Sequence, residues 1–153
     1  MRYAGIDYGK KRIGIALASE NSSLAFAHSV LENNASKESK LLNFFSGNKV
    51  TDVVLGESRD FKGNENTVMG EIKDFSAWLI KEGYKVHWEA EYLTSAAARS
   101  LQGLQGAKKA RATSERQLGK PKEKNDDAVA AAIILQSFLD RIRKPEAGEI
   151  QNP

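Results

Sequence analysis

The hydrophobic period of this chain shifts near residue 35, from strands alone to helices alternating with strands, and that shift restricts the folds open to it. Before it, apolar residues fall in short strand-like runs over about residues 2–8, 13–18 and 25–31. The runs are joined by the glycine-bearing stretch Tyr8-Gly-Lys-Lys-Arg12 and the turn-forming Asn21-Ser-Ser23. Three strands so closely spaced form an antiparallel meander. After residue 35 the period becomes helical and alternates with strands. Ala35 to Phe45 reads as a helix, with Ser36 as N-cap and Leu41, Leu42, Phe44 and Phe45 inward. Val50 to Leu55 is a short buried strand. From about Asn66 to Glu82, Val68, Ile72, Phe75 and Leu79 form one apolar stripe, ended by Gly83. Tyr84 to Glu89 is a fifth strand, and Thr94 opens an alanine-rich helix through about Leu104.

A last helix is capped by Asn125 or Asp126, with Ala128, Ala131, Ala132, Leu135, Phe138, Leu139 and Ile142 on its inward stripe. The order βββ-α-β-α-β-α-loop-α predicts an α/β fold. Its sheet is mixed and five-stranded, a three-strand antiparallel meander plus two parallel strands, with helices on both faces. The 153 residues suit one domain, expected over 1–144 with a flexible tail over 145–153.

The chain has no cysteine, so disulfides and thiolate metal sites are excluded. It shows neither a secretory leader pattern nor an apolar run of the roughly 18–20 residues a membrane span needs, and a cytoplasmic location is expected. Net charge is only +3, but its distribution is uneven. Between Gly106 and Lys124 stand seven basic residues, among them Lys108, Lys109, Arg111 and Arg116, against Glu115 and Glu123. The remainder of the chain is slightly acidic. This segment lacks a sustained apolar period and reads as a partly disordered loop suited to polyanions.

Several carboxylates sit where chemistry collects. Asp7 lies near the end of an otherwise apolar first strand, where a charge needs compensation. Glu91 follows the fifth strand directly, with Glu89 as a close competitor; strand ends of α/β sheets are where binding groups gather. Asp126 and Asp127 open the last helix, where the dipole favours acids. Asp126 can cap while Asp127, one residue inside, points at the sheet. Such oxygen ligands suit Mg²⁺ or Mn²⁺ rather than zinc, since His28 and His87 both fall in strands. Two such ions roughly 3.5–4 Å apart can hold a phosphodiester for hydrolysis.

Three motifs now converge on a known family. Gly5-Ile-Asp-Tyr-Gly-Lys-Lys-Arg-Ile-Gly-Ile-Ala16, Glu91-Tyr-Leu-Thr-Ser95 and Asp127-Ala-Val-Ala-Ala-Ala-Ile-Ile-Leu-Gln136 resemble, in order, the signatures of the YqgF/RuvX family. Its members are described as Holliday junction resolvases or pre-16S rRNA nucleases. The resemblance spans about residues 2–140 and implies an RNase H-like fold. It also implies a catalytic and metal-binding triad on Asp7, Glu91 and Asp127, a two-ion Mg²⁺ or Mn²⁺ site, and a nucleic-acid substrate, either pre-16S rRNA or branched DNA. Lys10, Arg12, Lys108, Lys109, Arg111 and Arg116 are the expected phosphate contacts, and the chain is expected to act as a monomer or homodimer. Ala90 and Tyr92 depart from the family's usual Asp and Arg, so one potential bidentate phosphate contact is missing.

Two rivals differ in class. An actin- or hexokinase-type ATPase shares the phosphate-cradling hairpin but needs two such domains. A non-catalytic nucleic-acid-binding module with a vestigial RNase H-like site draws support from the altered middle motif, and the survival of all three carboxylates argues against it.

Overall fold

The computed structural model describes residues 2–57, 68–90 and 124–143. Its strands are β1 (Arg2–Tyr8), β2 (Arg12–Ser19), β3 (Phe26–Glu32), β4 (Asp52–Glu57) and β5 (Lys85–Ala90). Its helices are α1 (Lys37–Gly47), α2 (Met69–Lys81) and α3 (Lys124–Arg143). The strands make one sheet in the order β3-β2-β1-β4-β5. β1 pairs antiparallel with β2, and β2 with β3; β4 lies parallel to β1, and β5 parallel to β4. The expected mixed sheet is therefore the observed one. The readings over 59–66, 94–104, 106–123 and 145–153 lie outside the described residues.

Side chains alternate between the two faces of a strand, and each face has its own core. One face carries Ala4, Ile6, Ile13, Ile15, Val53 and Leu55, packed with Leu41 and Phe45 of α1 and Ile72, Phe75 and Leu79 of α2. The other carries Ala16, Ala18 and Val54 beneath Ala131, Ile134, Leu135, Phe138 and Leu139 of α3. Each large buried side chain stabilises the fold by roughly 1.5–3 kcal/mol, against about 0–1 kcal/mol for an exposed ion pair. Apolar burial therefore seats α3, and its polar contacts orient it.

Three local expectations need correcting. Ser36 occupies the N-cap position of α1, but its hydroxyl bonds Asn34 Oδ1 at 2.7 Å rather than the helix. Asn34 Oδ1 also accepts the Ser36 backbone N–H at 3.0 Å. α3 begins at Lys124, so Asn125 and Asp126 lie inside its first turn and do not cap it. Ile142 is exposed, while Ile133 and Ile134 are buried. The inward face of α3 is broader than the stripe assumed because the helix lies over several strands. α2 matches its stripe, and Gly83 follows it with a left-handed φ of 96°.

Candidate active site

Asp7 is the sixth residue of β1 and stands opposite Gly14 of β2. The face it occupies follows from its neighbours. A Cβ built on Gly5 would meet the Ala131 carbonyl oxygen of α3 at 2.6 Å, so Gly5 faces α3, and Asp7, two residues on, shares that face. Gly14 faces it as well. A Cβ there would stand 1.9 Å from the Asp127 carbonyl oxygen and 2.9 Å from the Ala128 nitrogen. Any larger residue would lift the first turn of α3 off the sheet. The missing side chain of Gly14 therefore brings Asp127 down beside the residue paired with Asp7. Two acids, one from each end of the sequence, thus share one patch. Ala128 and Ala131 keep this side of α3 slim, and the glycines of β1 and β2 are the other half of the close approach.

Asp127 is buried, whereas its neighbour Asp126 is exposed. Both lie in the first turn of α3, where the helix dipole favours negative charge. Arg12, at the start of β2, places Nε 2.8 Å from Asp127 Oδ2. Its side chain is 36% exposed and that of Asp127 11%, so the pair is shielded on one side only. The turn that carries Arg12 is held at both ends. The Gly9 N–H donates to the Arg12 carbonyl at 2.9 Å, and Asn33 Nδ2 donates to the Gly9 carbonyl at 2.8 Å.

Lys10 belongs to the same turn but lines a cleft on the α1–α2 side, with Tyr8 and Phe75. The turn thus presents Arg12 to one side of the sheet and Lys10 to the other. Glu91, Lys108, Lys109, Arg111 and Arg116 lie outside the described residues. Among the described residues no group of three or more metal-ligating side chains gathers.

Glu89, the competitor of Glu91, is buried on the α3 face and is already engaged. Arg141 Nη2 donates to Glu89 Oε2 at 3.0 Å and Ser137 Oγ to Oε1 at 3.2 Å. Ser137 lies ten residues beyond Asp127 on α3, about 15 Å along the axis. Glu89 therefore fastens the far half of α3 to β5 and stands apart from the Asp7–Asp127 patch. A further buried acid escaped the sequence reading. Asp52, at the start of β4, accepts from Thr51 Oγ1 at 2.6 Å and from His87 Nε2 at 2.9 Å. His87 also packs on Phe138. The signal available was a charged residue opening an otherwise apolar strand, but its partner depends on parallel register.

Comparison with known proteins gives this arrangement a context. A family model described as RuvX, Holliday junction resolvase, matches residues 1–141. A Rickettsia peacockii (strain Rustic) protein named "Putative pre-16S rRNA nuclease" is 32% identical over 141 residues, covering 90% of this chain and 85% of that protein. A Maridesulfovibrio salexigens protein of the same name is 29% identical over 144 residues, covering 92% and 99%. Among solved structures, Thermus thermophilus RuvC in complex with Holliday junction substrate aligns with TM-score 0.56 at 20% identity, covering 93% of this chain and 96% of that one. The Fowlpox virus resolvase in complex with Holliday junction DNA aligns with TM-score 0.55 at 13% identity, covering 94% and 100%. The likeness to these resolvases shows an RNase H-like fold.

Proposed function

Since the chain belongs to the RuvX family of Holliday junction resolvases, we propose that it is a divalent-metal-dependent nuclease in which Asp7, Glu91 and Asp127 form the catalytic set. The observation that carries this reading is that Asp7 pairs with Gly14 while the backbone of Asp127, from the other end of the chain, packs against that glycine. An all-oxygen donor set fits Mg²⁺ or Mn²⁺. Glu91, which follows β5 directly in the sequence, completes the set. The set would hold two such ions, which would supply Lewis acidity to the scissile phosphate and to the attacking water.

The chain's own residues do the rest. Arg12 holds the Asp127 carboxylate in place and keeps a cation beside the phosphate path. Lys10, Lys108, Lys109, Arg111 and Arg116 attract and position the polyanion without reading its sequence, so affinity falls as salt rises. Water adds to phosphorus in line with the 3′-oxygen, the P–O3′ bond breaks, and the leaving oxygen takes up a proton. The products are a 5′-phosphate and a 3′-hydroxyl. Structured nucleic acid is the proposed substrate, either the 5′ end of pre-16S rRNA or a four-way DNA junction. The proposed location is the cytoplasm; among the described residues no helix is long and apolar enough to cross a membrane.

Calorimetric titration with Mn²⁺ tests the metal site without a substrate. Wild type is expected to bind, and Asp7→Asn and Asp127→Asn to bind at least about tenfold more weakly, as for other losses in a metal's shell. Isotherms identical in all three proteins would favour a binding module with a vestigial site.

A further inference from the structure

A cleft of about 420 Å³ opens on the side of the sheet away from Asp127. It lies between the β1–β2 turn, the start of α1 and one face of α2, and its size is in the range of small-ligand pockets. Its floor is aromatic. Tyr8 packs on Phe75 at 5.1 Å, and Phe75 stacks on Trp78 at 5.5 Å with 28° between their planes. Its walls differ in charge. Lys10 stands on the turn and Lys37 opens α1, with Glu38 beside it, while Glu71 and Asp74 line the α2 wall. Glu71, Asp74 and Trp78 fall at i, i+3 and i+7, so helix geometry sets all three on the face that borders the cleft. Among the described residues none of these five charged side chains is ion-paired, either across the cleft or elsewhere.

Separated charges over a ring suit a ligand with an anionic end, a flat body and N–H donors. We infer that this cleft is a nucleotide subsite, with the phosphate toward Lys10 and Lys37, the base on Trp78, and the base's N–H donors toward Asp74 and Glu71. Aromatic rings bind any base face, so stacking alone gives no preference. The carboxylates do, because they only accept hydrogen bonds. Guanine offers two adjacent donors on its Watson–Crick edge, a match for one carboxylate. Uracil offers a single N–H flanked by carbonyl oxygens, which a carboxylate repels.

The turn carrying Lys10 also carries Arg12 at the Asp7–Asp127 patch. A strand cut at that patch and passing over the turn would deliver a neighbouring nucleotide into the cleft. This role in substrate choice rests on the nuclease reading proposed above; nucleotide binding itself does not.

The test uses the full chain with Trp88→Phe, which leaves Trp78 as the sole tryptophan of the original two. GMP, added without metal, is expected to quench Trp78 fluorescence saturably and at least about tenfold more tightly than UMP. In that background Asp74→Asn or Glu71→Gln removes the preference for GMP, and Lys37→Ala weakens GMP while sparing guanosine. Wild type, with Trp78→Phe as blank, replaces this background if Trp88→Phe does not fold. Absence of saturable quenching, or equal quenching by GMP and UMP in every variant, overturns the subsite. Asp7→Asn separates the two readings. Lost Mn²⁺ binding with retained GMP binding fits both, whereas Mn²⁺ binding without GMP binding sinks the subsite alone. GMP binding by a wild-type protein that takes up no Mn²⁺ leaves the subsite standing and sinks the metal site.

Discussion

At the scale of single residues, Gly14 has more influence on the site than its size suggests. The atom a Cβ would strike at 1.9 Å is helix backbone, which cannot swing aside as a long side chain can. Gly14→Ala is expected to cost about 1–3 kcal/mol in urea unfolding, the usual range for overpacking, and to weaken Mn²⁺ binding as Asp127 moves away. Gly70, inside α2 with nothing within 4 Å of a built Cβ, is the control. Gly70→Ala, in the first turn of α2, is expected to stabilise by no more than about 0.5–1 kcal/mol, the difference in a helix interior, and to leave metal binding alone.

Asp52 supplies a prediction in pH. Burial pushes its carboxyl up, yet hydrogen bonds from Thr51 and His87, with the charges of His87 and Lys85, outweigh that and hold it below its ordinary 3.8. A carboxyl lowered by folding stabilises the fold fully above its unfolded value, and that contribution is lost as pH falls through the folded one. Asp52→Asn is therefore expected to be less stable than wild type at pH 7 by about 1–3 kcal/mol. The gap should narrow as pH drops below about 4 in a series of urea melts; a gap independent of pH would assign the loss to packing.

Among the elements, α3 does two jobs at its two ends. Its first turn carries Asp127 to the patch, and its last turns fasten to β5 through Glu89. Arg141 is 58% exposed, so solvent weakens that fastening. Arg141→Ala leaves the buried Glu89 carboxylate with Ser137 alone and is expected to lower stability by about 1–3 kcal/mol in thermal or urea unfolding, while Mn²⁺ affinity stays unchanged. A large loss of metal binding in this variant would tie Glu89 to the site after all.

The elements were legible because period is a local property. Val68, Ile72, Phe75 and Leu79 announce α2 without reference to the rest of the chain. Pairings between distant residues were not legible, since Gly14 with Asp127, Asp52 with His87 and Glu89 with Arg141 exist only once register and helix placement are set. Of the acids, Asp7 could be picked out as a charge in an apolar strand, and Asp126 and Asp127 as acids opening a helix. Nothing local separated Glu91 from Glu89, and that choice came from the resemblance of the Glu91–Ser95 motif. Glu89 is engaged by Arg141 and Ser137, while Glu91 lies outside the described residues.

For the molecule as a whole, the β1–β2 turn joins the two sides of the sheet, with Arg12 toward Asp127 on one and Lys10 toward the aromatic cleft on the other. We propose that phosphodiester hydrolysis depends on Asp7, Glu91 and Asp127 acting together. It is tested most directly by cleavage in Mn²⁺ of a pre-16S rRNA 5′-end fragment and of a four-way DNA junction, by wild type and by Asp7→Asn, Glu91→Gln and Asp127→Asn. The account predicts that wild type cuts at least one substrate and that each variant, folded by circular dichroism, is slower by roughly 10³-fold, equivalent to about 4 kcal/mol in the barrier. Cleavage undiminished in all three variants would contradict it.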